Sequence, residues 1–263
     1  MVKRINFINP FGSSAYDDII RKTLSHYCAS DTELAVTHLE NCPTDIDFFY
    51  SKHLIEQSLF EAVMVSEEQG YDAVIVGCLY DPGVRVAREL VDIPVVGPLE
   101  ASFQMAAYYG HSTMVLTDHR KAVPYIQDEA RLNGQGHTVR GVDAIDWFVK
   151  DMINDRRAVA DDVVRLSREA AQRFGAETVI MGCTIIAAIY QEYLMEGGEP
   201  SAVPIINPNL MALKMAEGLA DLHRSGGYFV ARQGFYMKPT GHFDAEFRNA
   251  RKVWNASKPI FAR

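Results

Sequence analysis

The 263-residue chain is short of three things: cysteine, with only four residues; excess positive charge, with 26 Lys and Arg against 34 Asp and Glu; and long apolar runs. Four cysteines are too few for a disulfide scaffold. Cys28, Cys42, Cys78 and Cys183 also form no C-x-x-C pair and no zinc-ligand spacing, so reduced thiols are expected. With a formal charge of -8 and no strongly basic patch evident in the sequence, a nucleic-acid partner is not expected. No run approaches the ~18 apolar residues needed to cross a bilayer, so no membrane role is expected. The eight histidines include no H-E-x-x-H and none close to Cys78 or Cys183, so neither a metal site nor a local Cys-His pair is suggested. The segment Met1 to Pro10 carries two basic residues, Lys3 and Arg4, near its start, but Asn6 and Asn9-Pro10 interrupt its apolar run. It reads as a first strand rather than a signal peptide, and the expectation is a cytoplasmic protein.

What the chain does have is a repeated line. Gly70-Tyr71-Asp72-Ala73-Val74-Ile75-Val76-Gly77-Cys78 returns as Gly175-Ala176-Glu177-Thr178-Val179-Ile180-Met181-Gly182-Cys183. Each copy has a glycine eight positions before the cysteine, an acid six before it and an apolar run between, which reads as helix stop, turn and buried strand. The cysteines are 105 residues apart, far beyond a solenoid period, so a whole α/β unit is duplicated.

Strand patterns fall at Ile5 to Ile8, Glu33 to Thr37, Ala73 to Cys78, Val95 to Val96, Thr113 to Thr117, Thr138 to Val142, Thr178 to Cys183 and Ile205 to Ile206, with helical patterns between most of them. The clearest helix runs from about Arg157 to Phe174, with Val159, Val163, Leu166, Ala170 and Phe174 on one face and Gly175 closing it. A second helical segment is read over Val84 to Leu90. Strands separated by helices predict an α/β protein of two similar domains. Each has a mainly parallel sheet flanked by helices, the two are related by a pseudo-twofold, and the active site lies in the cleft between them. The predicted domains are residues 1–97 with a returning segment 207–263, and residues 98–206. The stretch from Ser225 onward lacks clear periodicity and is expected to wrap a domain or form an oligomer contact.

Both cysteines stand at strand ends. One reading is that they are small core residues, since free cysteine is among the most buried types. The other is a pair of acid-base thiols on opposite faces of one carbon. Three features favour it: the register of the pair, a glycine before each that would let the backbone approach a ligand, and helix amino termini that would favour thiolate.

Three stretches resemble the aspartate/glutamate/hydantoin racemase superfamily, its hydantoin racemase branch most of all. They are Ile8-Asn9-Pro10-Phe11-Gly12-Ser13-Ser14, Gly77 to Gly83 continuing to Ala87-Arg88-Glu89, and Gly182-Cys183-Thr184. The resemblance implies an isomerase that needs no cofactor and no metal and acts on a small molecule. It also implies an assembly of identical subunits, as relatives are commonly homo-oligomers. In such enzymes one cysteine removes a proton and the other returns one, roles that fall here to Cys78 and Cys183. The walls of the substrate site are expected from Asn9, Phe11, Leu79, Tyr80, Thr117, Asp118 and Thr184.

The chain departs from the family pattern at Phe11, Gly12, Leu79, Tyr80 and Asp118, so the pocket shape is its own. Asp118 is equally readable as the cap of a helix beginning at Arg120, and Glu100 as a cap or a crossover group. His119 and Lys121 adjoin the same turn, and the row Phe48-Phe49-Tyr50 reads as either a lid or packing. The expected reaction is racemisation or epimerisation at an acidic carbon beside a carbonyl, in a hydantoin-like ring or related amide. The alternatives are a free amino-acid racemase, a malonate-type decarboxylase, and a non-catalytic metabolite-binding protein.

Overall fold

The computed structural model describes residues 2–40 and 42–257. The first half contributes strands β1 (Lys3–Asn9), β2 (Thr32–His38), β3 (Ala73–Val76) and β4 (Val95–Val96), and the second half β5 (Thr113–Thr117), β6 (Val139–Ala144), β7 (Thr178–Gly182) and β8 (Ile205–Ile206). They form two four-stranded sheets of identical order, β2-β1-β3-β4 and β6-β5-β7-β8, with every pairing parallel. Parallel strands need crossovers, and helices supply them. These are α1 (Asp17–Ser25), α2 (Phe49–Glu68), α3 (Val84–Leu90), α4 (Pro98–Met105), α5 (Val123–Leu132), α6 (Val149–Met152), α7 (Arg156–Phe174) and α8 (Thr184–Met195). Helices α9 (Pro208–Arg224) and α10 (His242–Ser257) follow the last strand.

The central strands β3 and β7 are buried along their whole length, which is why they read as unbroken apolar runs rather than as alternations. Helix α7 shows how locally the sequence dictates its elements. The Asp155 side chain accepts from the Ala158 N–H at 2.9 Å at one end, and Gly175 adopts the left-handed conformation at φ 64° at the other. Between them Val159, Val163 and Ala170 are buried, while Asp161, Arg165 and Arg168 are exposed. Helix α9 starts on Asn207, whose side chain accepts from the N–H groups of Asn209 and Leu210. It returns to pack on β1, β3 and β4 of the first sheet and on α4.

Two expectations change here. Strands β3 and β7 stop at Val76 and Gly182, so both cysteines lie just beyond their strands. The carboxyl-terminal stretch contains a sixteen-residue helix, α10, where no periodicity was read. Arg251 on α10 bonds Glu61 of α2 at 2.8 and 2.9 Å, and Arg232 donates to the carbonyls of Arg88, Glu89 and Val91. This segment therefore wraps the first half. Among the described residues no helix is long and apolar enough to cross a membrane.

The glycine before each cysteine has a different cause from the one expected. A Cβ on Gly77 would lie 2.2 Å from the Phe7 ring, and one on Gly182 would lie 2.5 Å from Thr117 Cα. In each half the glycine lets the central strand end pass against the first strand, β1 or β5. Approach of a ligand is not what requires it.

Candidate active site

The two sheets point their carboxyl ends at one narrow cavity with a free volume of about 20 Å³. Its lining comprises Phe11, Ile46, Lys52, Gly77, Cys78, Leu79, Tyr80, Asp118, Val149, Cys183, Thr184 and Ile185. Seven of the nine residues expected at the site therefore meet there: Phe11, Cys78, Leu79, Tyr80, Asp118, Cys183 and Thr184. Asn9 and Thr117 do not reach the lining. Asn9 is fully buried at the end of β1 and donates to Asp17, which also bonds His38 at 2.8 Å. The Thr117 hydroxyl lies 2.9 Å from an Asp118 carboxylate oxygen and 3.0 Å from the Gly182 carbonyl.

The surroundings of the two cysteines differ. Cys183 is the N-cap of α8, and the backbone N–H groups of Ile185 and Ile186 face its sulfur. Cys78 sits in a turn closed by a 3.0 Å bond from the Asp81 N–H to its own carbonyl, and α3 begins only at Val84. A helix terminus thus touches one cysteine and not both. Burial outweighs it: the Cys78 thiol is pushed up to about 11, and the Cys183 thiol is also raised well above its ordinary range. The expected bias towards thiolate is reversed while the cavity is closed.

Asp118 does not cap the following turn. His119 does, accepting from the Lys121 N–H while its ring stacks on Phe148. The Asp118 carboxylate accepts from the His119 N–H at 2.8 Å and lines the cavity; burial raises its pKa, against the pull of Lys52. Glu100 neither caps α4 nor reaches the cavity, and instead forms a two-pronged pair with Arg88. Asp81 supplies that cap by accepting from the N–H groups of Leu99 and Glu100. The Asp-Pro-Gly part of the first motif thus anchors the helix that leads into the second half. Of the aromatic row, Phe48 and Tyr50 are exposed, while Phe49 turns inward against Tyr80 and Tyr125.

Lys52 is the charged lining residue that sequence reasoning missed. It lies on α2, is only 8 % exposed, and holds its ammonium 3.4 Å over the Tyr80 ring. A lone lysine inside a twenty-residue helix carries no local sign that it faces inward. No group of three or more His, Cys, Asp or Glu side chains is placed to hold a metal ion among the described residues.

Hydrogen bonds across the cleft close the cavity. The Tyr16 hydroxyl donates to the Val149 carbonyl, the Val149 N–H donates to Asp47, the Tyr125 hydroxyl donates to the Tyr80 carbonyl at 2.9 Å, and the Thr184 hydroxyl donates to the Gly77 carbonyl at 3.0 Å. Thr184 thus spends its hydroxyl proton on the opposite half, not on the cavity.

Comparison with known proteins places the whole chain rather than its individual residues. The Asp/Glu/Hydantoin racemase family matches residues 5–216. A hydantoin racemase of Paenarthrobacter aurescens is 27% identical over 238 residues, covering 90% of this chain and 98% of the relative. A hydantoin racemase of Pseudomonas sp. (strain NS671) is 27% identical over 219 residues, covering 83% and 86%. Among solved structures, the allantoin racemase from Klebsiella pneumoniae superposes with a TM-score of 0.81 at 24% identity, covering 91% of this chain and 94% of that one.

Proposed function

Because the chain belongs to the Asp/Glu/hydantoin racemase family and is thereby an isomerase, we propose that it racemises a hydantoin-like ring or related cyclic ureide by proton transfer between Cys78 and Cys183. The observation that carries the reading is the lining itself: two thiols, each just past the central strand of its own sheet, border one cavity. Similarity to hydantoin racemases over nearly the whole chain supports the substrate class.

In this mechanism one sulfur, as thiolate, takes the proton from the ring carbon beside the carbonyl, and the pair of electrons passes into the carbonyl to give an enolate. The opposite thiol then donates its proton to the other face, leaving the stereocentre inverted and the two thiols with exchanged protonation. A positioned acid or base contributes about 10² to 10⁴-fold, so the enolate also needs stabilisation. The Leu79 N–H, which donates to no acceptor among the described residues, is available for that purpose. The Cys78 N–H is not, since it donates to the Val76 carbonyl at 2.7 Å. Leu79, Tyr80 and Phe11 form apolar walls, and neither Asn9 nor Thr117 needs to touch the substrate to shape them.

The same reading takes the enzyme as cofactor-independent, cytoplasmic and homo-oligomeric, and divides the chain into residues 1–97 with 207–263, and residues 98–206. The test is incubation with single enantiomers of 5-substituted hydantoins, allantoin and amino acids in D₂O, following optical rotation and deuterium at the stereocentre. Inversion with exchange is expected for a cyclic ureide and loss of inversion in Cys78→Ala and Cys183→Ala. No exchange with any of these compounds, or undiminished exchange in both variants, would refute the proposal.

A further inference from the structure

Lys52 has no place in the two-thiol scheme, yet it is the one cationic side chain in the cavity lining. Lysine is almost never this buried unless paired. Here, among the described residues, no hydrogen bond or ion pair holds the ammonium, and its contacts are the faces of the Tyr80 and Phe49 rings, at 3.4 and 5.5 Å. Tyr80 is two residues from Cys78, so stacking on its ring sets the charge beside the Cys78 turn. The carboxylate of the cavity lining is Asp118, which feels the Lys52 charge. Asp118 follows Thr117, which pairs with Gly182 in the sheet and lies 3.0 Å from its carbonyl, next to Cys183.

We propose that Lys52 is a positioning residue that makes Cys78 the first of the two thiols to ionise, with Asp118 holding Cys183 in its protonated form. This inference rests on the two-thiol reading and adds to it a direction. The free enzyme acts first on the enantiomer whose proton faces Cys78.

The charged and titratable groups around the pair are consistent with it. Cys78 faces Lys52 from α2, Asp118 from the end of β5 and Asp81 from its own turn, and Lys52 is the first of these to favour its thiolate. At Cys183 burial opposes ionisation first, Asp118 and Cys78 oppose it too, and the N–H groups of Ile186 and Ile185 favour it. Tyr80 stays protonated, because burial and the neighbouring acids raise it.

The experiment is alkylation of the full-length protein by iodoacetamide without substrate, with each cysteine quantified by peptide mass spectrometry. The rate follows the thiolate fraction. Cys78 is expected to react about tenfold or more ahead of Cys183. Lys52→Met should slow Cys78 about tenfold, as loss of about one pH unit of charge stabilisation requires, and Lys52→Arg should restore it. Cys28 and Cys42 serve as internal references and should keep their rates in both variants. Failure of Cys78 to react ahead of Cys183, or an unchanged Cys78 rate in Lys52→Met, would overturn the proposal. Since no substrate is present, the outcome is independent of the hydantoin panel: a silent panel refutes the activity, and the alkylation order separately judges Lys52.

Discussion

The Thr184 hydroxyl donates to the Gly77 carbonyl at 3.0 Å, so the residue after one cysteine is bonded to the residue before the other. The two motifs of the repeat are thereby one unit across the cleft. Thr184→Val keeps the shape but leaves a buried carbonyl without its donor, at a cost of about 1–3 kcal/mol. Urea denaturation should show that loss together with a lower kcat, and Thr184→Ser should recover most of both.

Alanine at either glycine of the Gly-Cys pairs tests the packing explanation. Gly182→Ala must displace the main chain at Thr117, and Gly77→Ala must displace the Phe7 ring and approach the Ile8 carbonyl. Each should destabilise by about 1–3 kcal/mol or more in chemical denaturation, as overpacking does. A variant of native stability would show that these glycines are not there for strand contact.

The raised thiol of Cys78 predicts a specific pH response. Its value is about 11 in the folded chain against an ordinary 9.0, so between those limits the folded protein keeps a proton that the unfolded chain has released. The unfolded state then binds fewer protons, and stability contributed by this group is full below 9.0 and is lost as pH rises towards 11. Urea midpoints measured from about pH 8 upward should fall less steeply in Cys78→Ala than in the parent. Over the same range kcat/KM of the parent should rise, because the thiolate fraction grows.

The carboxyl-terminal wrap depends on Arg251, whose guanidinium meets the buried Glu61 carboxylate and also Glu68. Arg251→Ala leaves Glu61 without its partner and should release α10. Limited proteolysis should then cut residues 226–241 several-fold faster than in the parent, while the circular dichroism of the rest is kept. An unchanged digestion rate would mean that Phe247 and the other apolar contacts of α10 hold it alone.

Much of this architecture was legible because burial writes itself into strand sequence. Val74 to Val76 and Val179 to Met181 are covered on both faces, and an uninterrupted apolar run is what that environment selects. The match between the halves then located both cysteines. What the sequence hid were relationships between distant elements. Lys52 faces inward only because α2 lies across the cavity, and Glu100 meets Arg88 only because α3 and α4 are folded together. Gly77 and Gly182 were visible, but their partners, Phe7 and Thr117, are known only once β1 and β5 lie alongside. Helix α10 escaped because its apolar face is partial, with Phe243 and Val253 exposed and Phe247 turned in.

Three of the four bonds that close the cleft share an asymmetry with a practical result. Those made by Tyr16, Tyr125 and Thr184 all end on carbonyls of the main chain, at Val149, Tyr80 and Gly77. A carbonyl survives any substitution of its own side chain. Tyr80 therefore plays two separable parts: its ring shapes the chamber while its backbone latches the door. Exchanging the ring leaves in place the carbonyl that Tyr125 meets but removes the seat of the Lys52 ammonium, so a substitution at position 80 made to change substrate range would also change the charge beside Cys78.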